Sequence, residues 1–142
     1  MVFYKFNYDD FPNVKIVFKN KVKNSEMDEL FLEWERIYER KREFNIIFDV
    51  TKIKSPTASF AYRMANFINM LKKKTPQFYK KSYVVAPESG VMKFLINLTF
   101  KLTKPVSKVY ICWKKSGEEI NVNNVVSVFN KDPFRFDFID CK

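Results

Sequence analysis

A chain of 142 residues that is 46% hydrophobic and 18% aromatic is long and apolar enough to bury a core, which excludes a disordered chain. It carries a net charge of +10, no histidine and only two glycines, Gly90 and Gly117. Those absences exclude Ser-His and Cys-His catalysis, histidine-bound zinc, and any glycine-rich phosphate loop or dinucleotide fingerprint.

The start, Val2 to Phe6, reads as a short strand. Tyr8 to Asn13 is a turn by its Asp, Pro and Asn content. Val14, Ile16 and Phe18 alternate as a second strand. Ser25 is placed to cap a helix in which Met27, Leu30, Phe31, Trp34, Ile37 and Tyr38 recur at helical steps, as far as about Arg42. Asn45 to Val50 is a continuous apolar run that fits a strand buried on both faces of a parallel sheet. Ser55 and Pro56 read as N-cap and first position of a second helix, with Phe60, Ala61, Met64, Phe67, Ile68 and Leu71 as its buried stripe.

Ser82 to Ala86 is another interior strand, Ser89 and Gly90 open a third helix closed by Pro105, and Ser107 to Trp113 is a fourth interior strand. After Gly117, Val122, Val125, Val126 and Val128 fit a strand or a short helix, and Phe134, Phe136 and Phe138 alternate in an edge strand or docked tail over residues 130–142. The order predicts a single α/β domain over residues 1–142, with a largely parallel sheet, right-handed crossovers and three to four helices.

No apolar run reaches the ~18 residues that span a bilayer. MVFYKFNYDD lacks the charged-then-apolar order of a signal peptide, so a cytoplasmic or membrane-peripheral location is expected. Cys112 lies in an apolar run and reads as core; Cys141 reads as a free tail thiol; their spacing fits no metal site. Of the carboxylates, Asp49 and Glu88 are the ones that a site would use, and Asp49 at a strand end reads as a turn or cap residue. The expectation is a protein that is not an enzyme, with no catalytic residue, cofactor or metal.

The charge is unevenly placed. Residues 72–115 hold eleven lysines against one acid, Glu88, and so carry +10, while the remaining bases and acids balance. In the third helix Lys93, Asn97, Lys101 and Lys104 form a narrow polar line, and Val91, Met92, Phe94, Leu95, Ile96, Leu98, Phe100 and Leu102 take most of the remaining circumference. A helix apolar on nearly all sides is deeply packed, covers a cavity, or meets lipid or a partner. The expected anionic contacts are Lys72, Lys73, Lys74, Lys80, Lys81, Lys93, Lys101 and Lys104. The expected hydrophobic ligand or partner contacts are Met92, Phe94, Leu95, Ile96, Leu98 and Phe100.

Phe67 to Pro105 resembles the core of a CRAL-TRIO domain, most closely the divergent BCH branch. The matching parts are Gln77 to Lys81 as the basic Tyr-containing turn and Tyr83 to Pro87 as the strand that ends in a small residue and Pro. Met92 to Leu102, Lys104-Pro105 and Ser107 to Ile111 follow in the same order. Ile46 to Val50 resembles the family strand that ends in Asp, and the likeness covers residues 45–115. The resemblance implies an α/β sheet domain that holds a hydrophobic ligand beneath a gating helix, matched by Met92 to Leu102. In BCH-type members it implies instead a scaffold for small GTPases and for itself, hence a homo-oligomer. The STAS domain of anti-sigma-factor antagonists is a second likeness. Its phosphorylated Ser would stand near Ser55, Thr57 and Ser59, where Ser55 reads more simply as a helix cap.

These readings predict a binding module whose basic, hydrophobic residues 72–115 engage an acidic protein or an anionic membrane. The alternative is lipid binding or transfer in a cavity gated by residues 91–104. The Lys, Phe, Asn and Ile bias of an AT-rich genome also fits a viral or organellar assembly component. Sequence-specific nucleic-acid binding is disfavoured, because 21 lysines outnumber five arginines and base readout favours Arg, Asn and Gln.

Overall fold

The computed structural model describes residues 2–142. Its strands are β1 (Tyr4–Asn7), β2 (Asn13–Lys21), β3 (Phe44–Lys54), β4 (Tyr79–Pro87), β5 (Lys108–Lys114) and β6 (Asp137–Ile139). Its helices are α1 (Asn24–Arg36), α2 (Ala58–Leu71), α3 (Gly90–Leu102) and the short α4 (Val125–Lys131). The six strands form one sheet in chain order, parallel from β2 to β5 and antiparallel where β1 and β6 close its rims. This is the α/β architecture with a largely parallel sheet that the strand–helix order predicts.

Strictly sequential order places each crossover helix over the next pair of strands, and a common handedness places all three on one face. The main core confirms this placement. It joins Val14, Ile16 and Phe18 of β2 and Ile46, Phe48 and Val50 of β3 to Met27, Leu30 and Trp34 of α1, Ala61, Phe67 and Leu71 of α2, and Met92 and Leu95 of α3. Period-two alternation sends the neighbouring strand residues to the opposite face. There Ile47, Tyr83, Val85 and Cys112 meet Val125 and Phe136 in a second, smaller core beneath α4. Cys112 is buried, and burial pushes its thiol up.

Two helix starts differ from expectation. α1 begins at Asn24 after Lys23, with no side-chain cap, so Ser25 lies inside the first turn. The cap of α2 is Thr57, whose Oγ1 accepts from the Phe60 N–H at 3.3 Å. Ser55 instead holds a left-handed φ of 49° before Pro56 and so stands outside the helix. Ser89 does cap α3, accepting from Met92 N–H at 3.2 Å. At the C-terminal end Phe136 turns into the second core, Phe134 is 96% exposed, and Phe138 stands on the short edge strand β6.

Candidate binding site beneath the third helix

Between α2, α3 and the sheet lies an apolar cavity of about 100 Å³. Phe48 and Val50 of β3, Ser82 and Val84 of β4 and Val109 of β5 form its floor; Phe60, Met64 and Ile68 of α2 form one wall. Met92, Leu95, Ile96, Thr99 and Phe100 of α3 form its roof, and Phe18, Trp34, Pro56, Tyr79, Pro105 and Val106 complete it. Close packing leaves few voids larger than a water molecule in a natural core. A void of this size costs roughly 2 kcal/mol of stability.

The hydroxyl groups on the wall are hydrogen-bonded, and the Trp34 indole N–H is left without an acceptor among the described residues. The Tyr79 hydroxyl is hydrogen-bonded to the Ser82 hydroxyl. Burial pushes the Tyr79 phenol far above its ordinary range, so it stays protonated at neutral pH. Thr99 Oγ1 donates back to the Leu95 carbonyl at 2.9 Å. The wall carries no carboxylate, amine or thiol. Its chemistry is therefore that of dispersion and desolvation, suited to an alkyl or aromatic group and not to proton transfer.

The structure divides the six apolar residues expected on α3. Met92, Leu95, Ile96 and Phe100 face the cavity, and Leu98 is half-buried at the margin of the core. Phe94 points outward and is 60% exposed. Val91 at 59% and Leu102 at 45% stand with it. Val91, Phe94, Leu98 and Leu102 are three, four and four residues apart, so they form one stripe along the outer side of the helix. α3 is thus apolar on two sides, one over the cavity and one toward solvent.

The eight expected lysines do not form one patch. Lys72 and Lys73 at the end of α2, and Lys101 and Lys104 at the end of α3, share one end of the molecule because the two helices run parallel. Lys72 Nζ bridges the pair by donating to Thr103 Oγ1 at 3.2 Å, and Lys104 Nζ donates to the Lys142 carbonyl at 3.1 Å. Lys80 and Lys81 begin β4 at the same end, Lys80 in a register shift and Lys81 beside Lys108. Cations there face helix carbonyl ends, which favours them electrostatically. Lys74 is drawn aside to Glu35 at 3.5 Å and over the Tyr38 ring. Lys93 stands at the other end of α3, 3.5 Å from Glu88 and over the Trp113 ring.

Two groups were not visible as site residues in the sequence. The strand and α2 side chains of the cavity wall alternate like any core, so periodicity marks their direction but not the gap they leave. Lysines of the charge-balanced part of the chain also converge: Lys19 pairs in register with Lys52, and Lys21 with Lys54. Their two-residue spacing within each strand was the available signal. Among the described residues no cluster of three His, Cys, Asp or Glu side chains is placed to hold a metal ion, and no helix is long and apolar enough to cross a membrane. Comparison with protein-family models, curated proteins and solved structures finds no match to the chain.

Proposed function

We propose that the chain is a non-catalytic binding module that docks on an anionic membrane surface through the outer side of α3. The observation that carries this reading is the second apolar stripe of α3, Val91, Phe94, Leu98 and Leu102, which borders Lys101 and ends beside Lys72, Lys73 and Lys104. Lys101 lies seven residues from Phe94, two turns away on the same side. Exposed apolar groups flanked by lysine match the interfacial region of a bilayer, where rings enter the acyl boundary and ammonium groups stay at phosphate level.

The magnitudes favour joint action. A lysine near an anionic leaflet contributes about 1 kcal/mol. Burial of a large apolar side chain contributes about 1.5–3 kcal/mol. Either set alone gives weak, reversible contact; together they hold the domain at the surface. The cavity beneath the same helix is smaller than the ~150 Å³ void that retains benzene. It takes a lipid chain only if α3 moves outward, as the resemblance to a CRAL-TRIO gating helix implies.

The test is co-sedimentation with phosphatidylcholine vesicles, with and without phosphatidylserine, at low and high salt. Binding to the anionic vesicles is expected to fall at high salt, in K101E/K104E and in F94S/L102S. Loss in the lysine variant with full retention in F94S/L102S would remove α3's apolar stripe from the mechanism. Absence of binding by the wild type would overturn the membrane reading and favour an acidic protein partner.

A further inference from the structure

A second cationic site lies at the opposite end of the strands and on the opposite face of the sheet. The β3–β4 register ends at Asp49 and Val85, and β1 pairs with β2 only as far as Phe18. Beyond those points β2 and β3 continue together as a two-stranded ribbon, with Lys19 beside Lys52 and Lys21 beside Lys54. One extra β3 residue between Asp49 and Lys52 shifts the register and reverses the alternation, so Ile53, like Val22, packs toward the helix-side core while Lys52 and Lys54 face away from it. Neighbouring strands are about 4.8 Å apart and alternate residues about 6.8 Å, so four ammonium stems rise from one small rectangle.

Like charges side by side on a sheet destabilise it. Among the described residues no carboxylate forms a salt bridge with these four lysines. The acid on this side of β3, Asp49, is already engaged: its Oδ1 accepts from Thr51 N–H at 3.0 Å and Thr51 Oγ1 at 2.6 Å. At the surface of this ribbon is a shallow, open hollow lined by Lys19, Asn20, Thr51, Lys52, Ile53 and Lys54.

We propose that this hollow binds a small polyphosphorylated molecule. The lining offers ammonium groups and no carboxylate, and lysine serves phosphate as a mobile point charge. Several ammonium groups on so small a rectangle match several phosphates on one compact carrier better than a single anion. The hollow has neither an arginine nor an aromatic ring to stack on a base, which disfavours single-stranded nucleic acid. Lysines on free strand edges also deter edge-to-edge pairing, but that role requires no saturable site. Since the hollow and the outer side of α3 lie on opposite faces, the proposal stands independently of the membrane reading.

The experiment is calorimetric titration of the full chain with inorganic tripolyphosphate, and co-sedimentation with phosphatidylcholine vesicles containing phosphatidylinositol 4,5-bisphosphate. Wild type, K19E/K52E and K101E/K104E are compared, with thermal melts as the folding control. Saturable one-to-one binding is expected, weakened about tenfold or more in K19E/K52E, since each charge-assisted hydrogen bond lost has that weight. In the tripolyphosphate titration K101E/K104E is expected to match wild type. Binding of tripolyphosphate with no gain on the bisphosphate vesicles over phosphatidylserine vesicles of equal charge places the ligand in solution, whereas a gain that K19E/K52E abolishes and K101E/K104E keeps places it on a lipid headgroup. No saturable binding to tripolyphosphate and no gain on the bisphosphate vesicles, or equal loss of tripolyphosphate binding in both variants, would overturn the proposal and leave the lysines to edge protection or to diffuse charge.

Discussion

Arg135 donates through Nη2 to the Trp113 carbonyl at 2.6 Å, tying the C-terminal segment to β5. The same nitrogen donates to Glu118 Oε1 at 2.8 Å, and Glu118 Oε1 accepts in turn from Lys115 N–H at 3.0 Å. One guanidinium therefore joins three parts of the chain and sets Phe136 into the second core.

These contacts give Glu118 a pH signature. The Lys115 amide, then Arg135, lower its carboxyl below the ordinary 4.5. A lowered folded-state pKa adds stability that is present above the unfolded value and lost as pH falls through the folded one. Glu118→Gln is expected to melt earlier than wild type at pH 7 and to converge with it as pH falls well below 4.5, in melts followed by tryptophan fluorescence. An unchanged gap at low pH would show that the carboxylate charge has no part.

Trp34 is a buried ring with an unsatisfied donor. It packs against Phe67 and Phe48 at ring distances of 4.9 and 5.2 Å, while its Nε1 has no acceptor among the described residues. An orphaned buried donor costs about 1–3 kcal/mol. Trp34→Ala is expected to destabilise by about 3–5 kcal/mol and Trp34→Phe by less than about 2 kcal/mol, by urea unfolding. Equal losses would mean that the indole N–H is satisfied in solution.

The cavity predicts the opposite sign for a larger side chain. Val109 is buried and lines the void. Val109→Ile is expected to raise stability by up to about 1 kcal/mol, because the added methyl group fills space that no atom occupies. If it instead destabilises by about 1 kcal/mol or more, the site is overpacked and the void is closed in solution.

The two thiols should react differently. Cys112 is buried and desolvation raises its pKa, whereas Cys141 is partly exposed near the chain end. Under native conditions one thiol per chain is expected to react quickly with a water-soluble disulfide reagent, and both in denaturant. Fast native reaction of both would place opening of the α4 layer on the labelling timescale.

The order and type of the elements were written in local pattern. The three- and four-residue steps of Met27, Leu30 and Trp34, and the unbroken Ile46 to Val50, depend on neighbours along the chain and define helix and interior strand. The caps were less legible. Ser55-Pro56 has the composition of a helix start, but the left-handed φ at Ser55 moves the cap to Thr57, whose hydroxyl can reach the Phe60 amide. The third helix announced its two apolar sides by composition alone, yet which side met the cavity required the sheet beneath it.

Charge shows where sequence ends. The chain by itself determined the total of +10 and its concentration in residues 72–115, because summed charge depends only on composition. The tertiary structure decided which lysines act together. Parallel helices bring Lys72 and Lys73 to Lys101 and Lys104, while Glu35 and Glu88 draw Lys74 and Lys93 away. In-register pairing sets Lys19 beside Lys52 although both lie outside the basic segment 72–115 and are 33 residues apart in the chain. An electrostatic field depends on distance in space, and strand pairing fixes those distances between residues far apart in the chain.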